Sequence, residues 1–417
     1  MKEVIKQIIK DFHSRGLPQV IQREINIPLN SNKVISIIGA RRSGKTYLMY
    51  QTILKLKDIT NVIYINFEDE RLELTSGNLN IIIESYFELY PNKREQDLFF
   101  FFDEIQEIKG WERFIRRLYD TITKNIFITG SSSKLLSKEI AASLRGRTIT
   151  FEVYPLSFKE YLKFKNVELD SYSTKGKAKL ISNLNNFILK GGFPEVINME
   201  KELYEKSLES YFEVMIYRDV AERYSITNIL SLKLFIKRLI SNTSREFSVN
   251  KIFSSFKSEG VKISKDTLYK FLDYCEDAYI LMIINSFSES LAKQTIKKSY
   301  SIDTGLSSMI NFTLSRDIGR LFENVIMLEL KRRFKEIFYY KEKYECDFII
   351  KEKDKIIKAI QVCYNLNDNN LERELTGLKE AMKKFNIRKG IILTLDLEKK
   401  FGDIEVIPAY KWLLKSE

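Results

Sequence analysis

Apolar and polar positions change rhythm several times along the chain. Near the amino end, Val4, Ile5, Ile8, Ile9 and Phe12 recur at helical spacing and predict an amphipathic helix that packs on a neighbouring domain. Four short apolar runs follow: "VISII" at 34–38, "NVIYINF" at 61–67, "LFFFF" at 98–102 and "NIFITG" at 125–130. The third is unbroken, as in a central parallel strand buried on both faces. "TYLMYQTILKL", after the first run, is helical in pattern. After Tyr154-Pro155 the rhythm becomes helical, in "SFKEYLKF", "AKLISNLNNFILKGG" and "EKSLESYFEVMIYRDVAERY". Residues 232–290 read as three helices and a strand pair; Gly260 ends the second helix and Ser264 caps the third. From about 305 the pattern predicts a helix at 319–334, two or three strands within 337–365, a helix at 369–385 and a strand at 389–397.

Composition narrows the chemistry. With 417 residues, 44% hydrophobic and 12% aromatic, the chain can build two to four packed domains. The formal charge of +12 favours an anionic partner such as nucleic acid, with a lysine-rich solvated surface as the plain alternative. Cys275, Cys346 and Cys363 are far apart and odd in number, which argues against a disulfide framework or a zinc finger and for a reducing compartment. His13 is the only histidine, which excludes a multi-histidine metal site and argues against a Ser-His-Asp triad or a Cys-His pair. No run approaches the ~20 apolar residues that span a bilayer. The sequence predicts a cytoplasmic protein without a membrane segment.

The candidate chemistry begins at "GARRSGKT", Gly39-Ala40-Arg41-Arg42-Ser43-Gly44-Lys45-Thr46, which matches GxxxxGK[ST] between an apolar strand and a helix. Such glycines let backbone N–H groups turn inward around phosphate oxygens; the lysine reaches the terminal phosphates and the hydroxyl serves Mg²⁺. The helix that follows presents its positive end to the same anion. Asp103-Glu104 closes the third apolar run, where a strand of a doubly wound sheet points its carboxyl end at the ligand. Asp103 is expected to hold Mg²⁺ through water and Glu104 to polarise the attacking water. Ser131, with Thr129 next, is the expected sensor of the terminal phosphate. Arg145 and Arg147 are candidates to neutralise phosphate charge within the chain or from a neighbouring subunit. The plain readings are helix caps for the hydroxyls and surface ion pairs for the arginines.

The run "IIGARRSGKT … FFFFDEIQEIKGWERFIRRLYD … IFITGSSSKLLSKEIAASLRGRTITFEVYPLSFKEYL" resembles the AAA-type ATPases found widely in archaea and bacteria, in which the ATPase precedes a carboxyl-terminal region of unassigned role. The resemblance implies an Asp–Glu type P-loop ATPase with a small helical lid, using ATP and Mg²⁺. It also implies that "KGGFPEV" lies over the adenine, with Phe193 and Pro194 in that role. Arg218-Asp219 matches a recurring pair of the family; the residues themselves suggest only a helix-surface salt bridge.

Two further modules follow. The helices of 232–290 carry a helix-turn-helix signature, and a winged form is expected with "LMIINSFS" and "KKSYSID" as wing strands. In a DNA-reading version, Lys262, Lys265, Thr267, Tyr269 and Lys270 flank or form the recognition helix, while Lys293, Lys297 and Lys298 lie in or beside the wing. The element order after 305 resembles the PD-(D/E)xK nuclease core and places Glu323 and Asp347 where such enzymes gather Mg²⁺. The third position departs, with Gln361-Val362-Cys363 for Glu-x-Lys. Neutral Gln is a poorer Mg²⁺ ligand and Cys cannot stabilise the developing charge. Lys379 or Lys383 on the next helix is the available substitute.

The expected fold is therefore α/β: a P-loop NTPase parallel sheet with a helical lid, then an all-α/winged-helix module and a small α/β nuclease-like domain. The expected divisions are 1–155 for the P-loop ATPase core, 156–235 for the lid and connector, 236–304 for the winged-helix-like part and 305–417 for an inactive nuclease-like domain. The expected function is an ATP-hydrolysing switch or motor that acts on double-stranded DNA through 236–304, with a protein partner at 305–417 and an oligomer as compatible assemblies. The alternatives are a nucleotide-regulated adaptor that binds protein only, and a metal-dependent nuclease.

Overall fold

The computed structural model describes residues 1–131, 144, 146–288, 295–310 and 317–415. They form two compact units, Met1–Val153 and Tyr154–Glu417.

The first unit is built on β1 (Val34–Gly39), β2 (Val62–Asn66), β3 (Phe99–Asp103), β4 (Ile126–Gly130) and β5 (Thr148–Val153). Every pairing is parallel and the spatial order is β2-β3-β4-β1-β5. Three of the four apolar runs become the inner strands β3, β4 and β1, where an unbroken apolar sequence is covered on both faces, and the run at 61–67 forms the edge strand β2. Phe101 of β3 and Phe127 of β4 stack with centroids 4.5 Å apart. The order matters for chemistry. β4 is inserted between β1 and β3, and its register sets Thr129 opposite Ile37 and Ile128 opposite Phe102. The carboxyl end of β3 therefore emerges beside a hydroxyl of β4.

The amino-terminal helix α1 (Lys2–Arg15) buries Ile5, Ile8, Ile9 and Phe12, the face read from the sequence, and packs against the helix Ile81–Leu89. Phe12 stacks on Tyr64 of β2 at 4.8 Å. His13 Nε2 lies 2.8 Å from the Val62 carbonyl and Nδ1 2.8 Å from the Tyr90 hydroxyl. Burial holds this imidazole below its ordinary pKa. The neutral ring then donates from Nε2, and Nδ1 accepts from tyrosine. The lone histidine is a packing residue.

The second unit opens with helices Phe158–Phe164, Thr174–Lys190 and Lys201–Val214. The last continues into a π-helical segment, Met215–Glu222, where Asp219 is buried and Arg218 exposed. Helices Ile229–Ser241, Val249–Ser258 and Lys265–Asp277 follow, with an antiparallel sheet ordered β6-β8-β7. Its strands are β6 (Glu246–Phe247), β7 (Leu281–Asn285) and β8 (Lys297–Ser301). The carboxyl-terminal sheet comprises β9 (Glu336–Lys341), β10 (Glu345–Glu352), β11 (Lys355–Val362), β12 (Gly390–Thr394), β13 (Lys399–Phe401) and β14 (Ile404–Pro408). Strands β9, β10 and β11 are antiparallel neighbours, and β12 joins β11 in parallel after the helix Asp368–Phe385. Phe287 donates its N–H to the Tyr339 carbonyl at 2.7 Å, so the smaller sheet is tied to the edge of the larger. No described helix is long and apolar enough to cross a membrane.

The loop "KGGFP" is fixed inside this unit. Gly191 has φ 73°, and a Cβ there would stand 2.0 Å from Asp303 Oδ1. The Asp303 carboxylate accepts the N–H of Gly192 at 2.6 Å and of Gly305 at 2.8 Å. Burial pushes Asp303 up to about 6. Two consequences follow for stability. Asp303→Ala leaves buried amides unpaired and should cost roughly 2–3 kcal/mol, and Gly191→Ala should cost a similar amount; urea midpoints equal to wild type would contradict both. Because the folded carboxyl titrates above its unfolded value near 3.9, the native state holds the extra proton, and this group's contribution falls as pH rises from about 4 to about 6 and is level beyond. Asp303→Ala should flatten that part of the stability–pH curve.

Candidate functional site

β1 ends at Gly39, where a Cβ would lie 2.1 Å from the Val153 carbonyl of β5, so no other residue fits at the entrance to the loop. The chain then turns through Ala40–Ser43 and enters α2 (Lys45–Ile53) from Gly44, which has φ 95°. Arg23 Nη1 donates to the Ser43 carbonyl at 2.8 Å, and Arg41 Nη1 pairs with Glu68 Oε1 at 3.1 Å. These bonds brace the loop from outside. Inside it, the buried Lys45 Nζ reaches the carbonyls of Gly39 at 3.2 Å and Ala40 at 3.3 Å, and lies 3.4 Å from Glu104 Oε1.

Asp103 at the end of β3 is 1% exposed. Its Oδ2 accepts from Thr46 Oγ1 at 2.7 Å and from the Tyr64 hydroxyl at 2.9 Å, and its Oδ1 accepts from Thr129 Oγ1. Burial, with the Glu104 charge beside it, raises this carboxyl above its ordinary pKa, and the three hydroxyls oppose that shift. Glu104 adopts φ 51°, the left-handed region that costs a non-glycine residue energy and concentrates at functional sites. Its N–H donates to Thr129 Oγ1 at 2.8 Å. Burial alone would raise the Glu104 carboxyl. The Lys45 ammonium, the Gln106 amide and the Arg41 charge outweigh burial and hold it below the usual carboxylate range. Glu104 is thus an ionised base beside a lysine.

The donor set fits a magnesium-bound polyphosphate. Lys45 and the arginines of the loop suit phosphate. The Thr46 hydroxyl and the Asp103 carboxylate are hard oxygen donors. Ser43 Oγ is buried without a hydrogen-bond partner, so the loop holds an unused donor. Among the described residues no group of three or more His, Cys, Asp and Glu side chains could hold a metal ion. Mg²⁺ at such sites takes only one or two protein ligands and completes its shell with water and phosphate.

The remaining candidates separate. Thr129 is committed to Asp103 and Glu104, while Ser131 is buried just beyond β4. Arg145 lies outside the described residues. Arg147 precedes β5 beside Val34, the far end of β1 from the loop, and its guanidinium pairs with Asp120 at 2.6 Å. The length of β1 puts it about 16 Å from the loop, so the expected within-chain role of Arg147 is corrected. Phe193 is wholly buried, edge-on to Tyr211 at 5.6 Å, so its ring has no open face to cover a base; Pro194 is half-buried. Tyr64, whose hydroxyl braces Asp103, and Arg23 were not singled out in the sequence. A tyrosine inside an apolar strand was the available signal for the first.

In the second unit the structure brings Glu323 and Asp347 together, but around an unexpected partner. Lys298 is 1% exposed, which corrects its expected place in or beside a DNA-facing wing. Its Nζ lies 3.1 Å from Glu323 Oε1 and 3.2 Å from Asp347 Oδ1. Lys379 and Lys383 are exposed, so the ammonium in this cluster is not theirs. Lys262, Lys265, Tyr269 and Lys270 are exposed, Thr267 and Lys297 are half-buried, and Lys293 lies outside the described residues.

Known proteins resemble the chain along its length. An AAA domain model matches residues 31–162, a Domain of unknown function (DUF8612) 181–324, and a Domain of unknown function (DUF4143) 318–412. The protein MJ1544 of Methanocaldococcus jannaschii is 44% identical over 95% of this chain and 91% of its own. A protein of Haemophilus influenzae is 31% identical over 92% of this chain and 94% of its own. Among solved structures, the Walker-type ATPase paby2304 of Pyrococcus abyssi aligns with 75% of this chain and 95% of that chain at 15% identity and a TM-score of 0.43. With its 2-3-4-1-5 parallel sheet, its braced phosphate loop and its buried acid pair, the chain belongs with MJ1544 to an AAA-type P-loop ATPase family whose carboxyl-terminal region is of the DUF4143 kind.

Proposed function

We propose that the chain binds Mg-ATP in the loop 39–46 and hydrolyses it, and that nucleotide state changes the grip of the second unit on DNA. The observation that carries hydrolysis is Glu104: buried, strained, and held ionised by Lys45 and Gln106. Its carboxylate takes the proton of a water that attacks the terminal phosphorus, the bond from that phosphorus to the bridging oxygen breaks, and ADP leaves with the electron pair, while Gln106 fixes one oxygen of Glu104. Lys45 draws charge on the phosphates, and Ser131 is the proposed sensor at the end of β4. Thr46 and Asp103 would hold magnesium, which when bound neutralises phosphate charge. Arg145 and Arg147 are proposed to act on the site of a neighbouring subunit.

The DNA part of the proposal rests on topology and exposure. Three helices and a sheet ordered β6-β8-β7 suit a winged helix, with Lys265–Asp277 as the reading helix. Lys262, Lys265, Tyr269 and Lys270 are the exposed candidates for phosphate and base contact. A second reading, a nucleotide-regulated adaptor for a protein partner, is favoured by charge. The same helix exposes Asp266 and Asp273, so its surface is balanced rather than basic.

Lys45→Ala should lower ATP affinity by roughly 100-fold, measured by calorimetry; undiminished affinity refutes the site. Glu104→Gln should bind ATP normally and turn over roughly 100-fold more slowly or worse; wild-type turnover removes Glu104 from the mechanism. Tyr64→Phe should raise the Mg²⁺ concentration for half-maximal turnover roughly tenfold while leaving the maximal rate little changed; a pure loss of rate assigns Tyr64 to something other than Asp103. Duplex DNA should stimulate the ATPase, and the effect should fade steeply between 50 and roughly 200 mM salt. Indifference to DNA at both concentrations selects the adaptor.

A further inference from the structure

Acidic side chains from two elements converge on one buried ammonium in the second unit. Lys298 stands on β8 with its side chain 2% exposed, and its Nζ lies 2.7 Å from Glu345 Oε1, 3.1 Å from Glu323 Oε1 and 3.2 Å from Asp347 Oδ1. Glu323 comes from the helix Ile318–Arg333, and Glu345 and Asp347 share one face of β10. Tyr300, on the same face of β8 as Lys298, donates its hydroxyl to Glu323 Oε1 at 2.7 Å. The second oxygen of Asp347 accepts the Val362 N–H at 2.9 Å. Lys341 closes the rim, 3.3 Å from Glu345 Oε2 and 2.7 Å from Glu246 Oε2.

The third position of the nuclease-like pattern is equally committed. Gln361 accepts the Asp347 N–H at 3.3 Å and donates to Glu374 at 2.6 Å. Cys363 accepts from Asn370 at 3.5 Å. A buried charge survives only when paired and hydrogen-bonded, and here each group is answered by another group of the chain. Mg²⁺ and its relatives bind carboxylate oxygen at about 2.1 Å. An ammonium already within hydrogen-bond range of the same oxygens excludes such an ion by volume and by charge.

We infer that the Lys298 ammonium is the resident cation of this centre: it stands among Glu323, Glu345 and Asp347 where a divalent metal would have to be coordinated, and it ties β8 to β10. The inference rests on the nuclease-like reading of 305–417 and is independent of the ATPase reading. It accounts for a scaffold that keeps two acids of a metal site without metal chemistry, since the lysine arrives from the preceding module. Burial would discharge Lys298, but Glu323 and its neighbours hold the ammonium well above the ordinary lysine range.

The test uses the whole 417-residue chain without nucleotide and Mn²⁺ as the probe, read by paramagnetic resonance and thermal unfolding. Wild type should show no Mn²⁺ binding that Asp347→Asn removes. Lys298→Met should unfold at a lower temperature, and saturating Mn²⁺ should raise its midpoint by about 5 °C, an effect lost in Lys298→Met with Asp347→Asn. A folded Lys298→Met variant that ignores Mn²⁺ overturns the inference. So does Mn²⁺ binding, or Mn²⁺-dependent DNA cutting, by wild type that Asp347→Asn abolishes. Should Lys298→Met not fold, the wild-type and Asp347→Asn comparison decides alone. Retained Lys45- and Glu104-dependent ATP turnover leaves the ATPase reading standing whichever way this falls.

Discussion

A carboxylate buried at the end of an all-apolar strand is pushed toward its protonated form, and only donors aimed at its oxygens oppose that push; Asp103 shows how the first unit supplies them. Thr46 from α2, Tyr64 from β2 and Thr129 from β4 each give it a hydroxyl. Each donor belongs to a different element, so the carboxylate is well placed only if the loop, the sheet order and the strand register are all correct. The amino-terminal helix joins the same network, since Phe12 stacks on the ring of Tyr64.

The two units solve one electrostatic problem in opposite ways. Around Asp103 the partners are neutral hydroxyls, which orient a carboxylate without cancelling its charge. A cation can therefore still be attracted, and Thr46 can turn from the carboxylate toward it. Around Glu323, Glu345 and Asp347 the partner is an ammonium, which cancels charge and fills the space. The first arrangement is suited to binding and releasing magnesium with a nucleotide. The second is suited to holding two sheets together.

Much of the first unit was legible because its signals are local. The glycine pattern and the apolar runs each specify a strand, a turn or a helix start within a few residues, and Asp103-Glu104 follows directly from the end of such a run. The insertion of β4 between β1 and β3 was not legible, because strand order is a long-range property. Without it Thr129 reads as a possible phosphate sensor, whereas the fold places it between Asp103 and the Glu104 N–H. Lys298 failed for the same reason. Its neighbours in sequence, Lys297 and Ser299, are polar residues of a short strand, and its partners lie 25 to 49 positions away. The two-residue strand β6, the strands β13 and β14 and the helix Ala409–Leu414 lack enough periodicity to announce themselves. Asp303 is a separate case, a carboxylate whose partners are the backbone amides of a glycine loop more than a hundred residues earlier.

The most direct measurement is a crystal structure of the protein with Mg²⁺ and a non-hydrolysable ATP analogue. It should show the triphosphate within residues 39–46, Lys45 Nζ turned from its carbonyls to the phosphates, and the metal between the Thr46 hydroxyl and a water held by Asp103. A triphosphate bound elsewhere, or a metal distant from both Thr46 and Asp103, would contradict the account at its foundation.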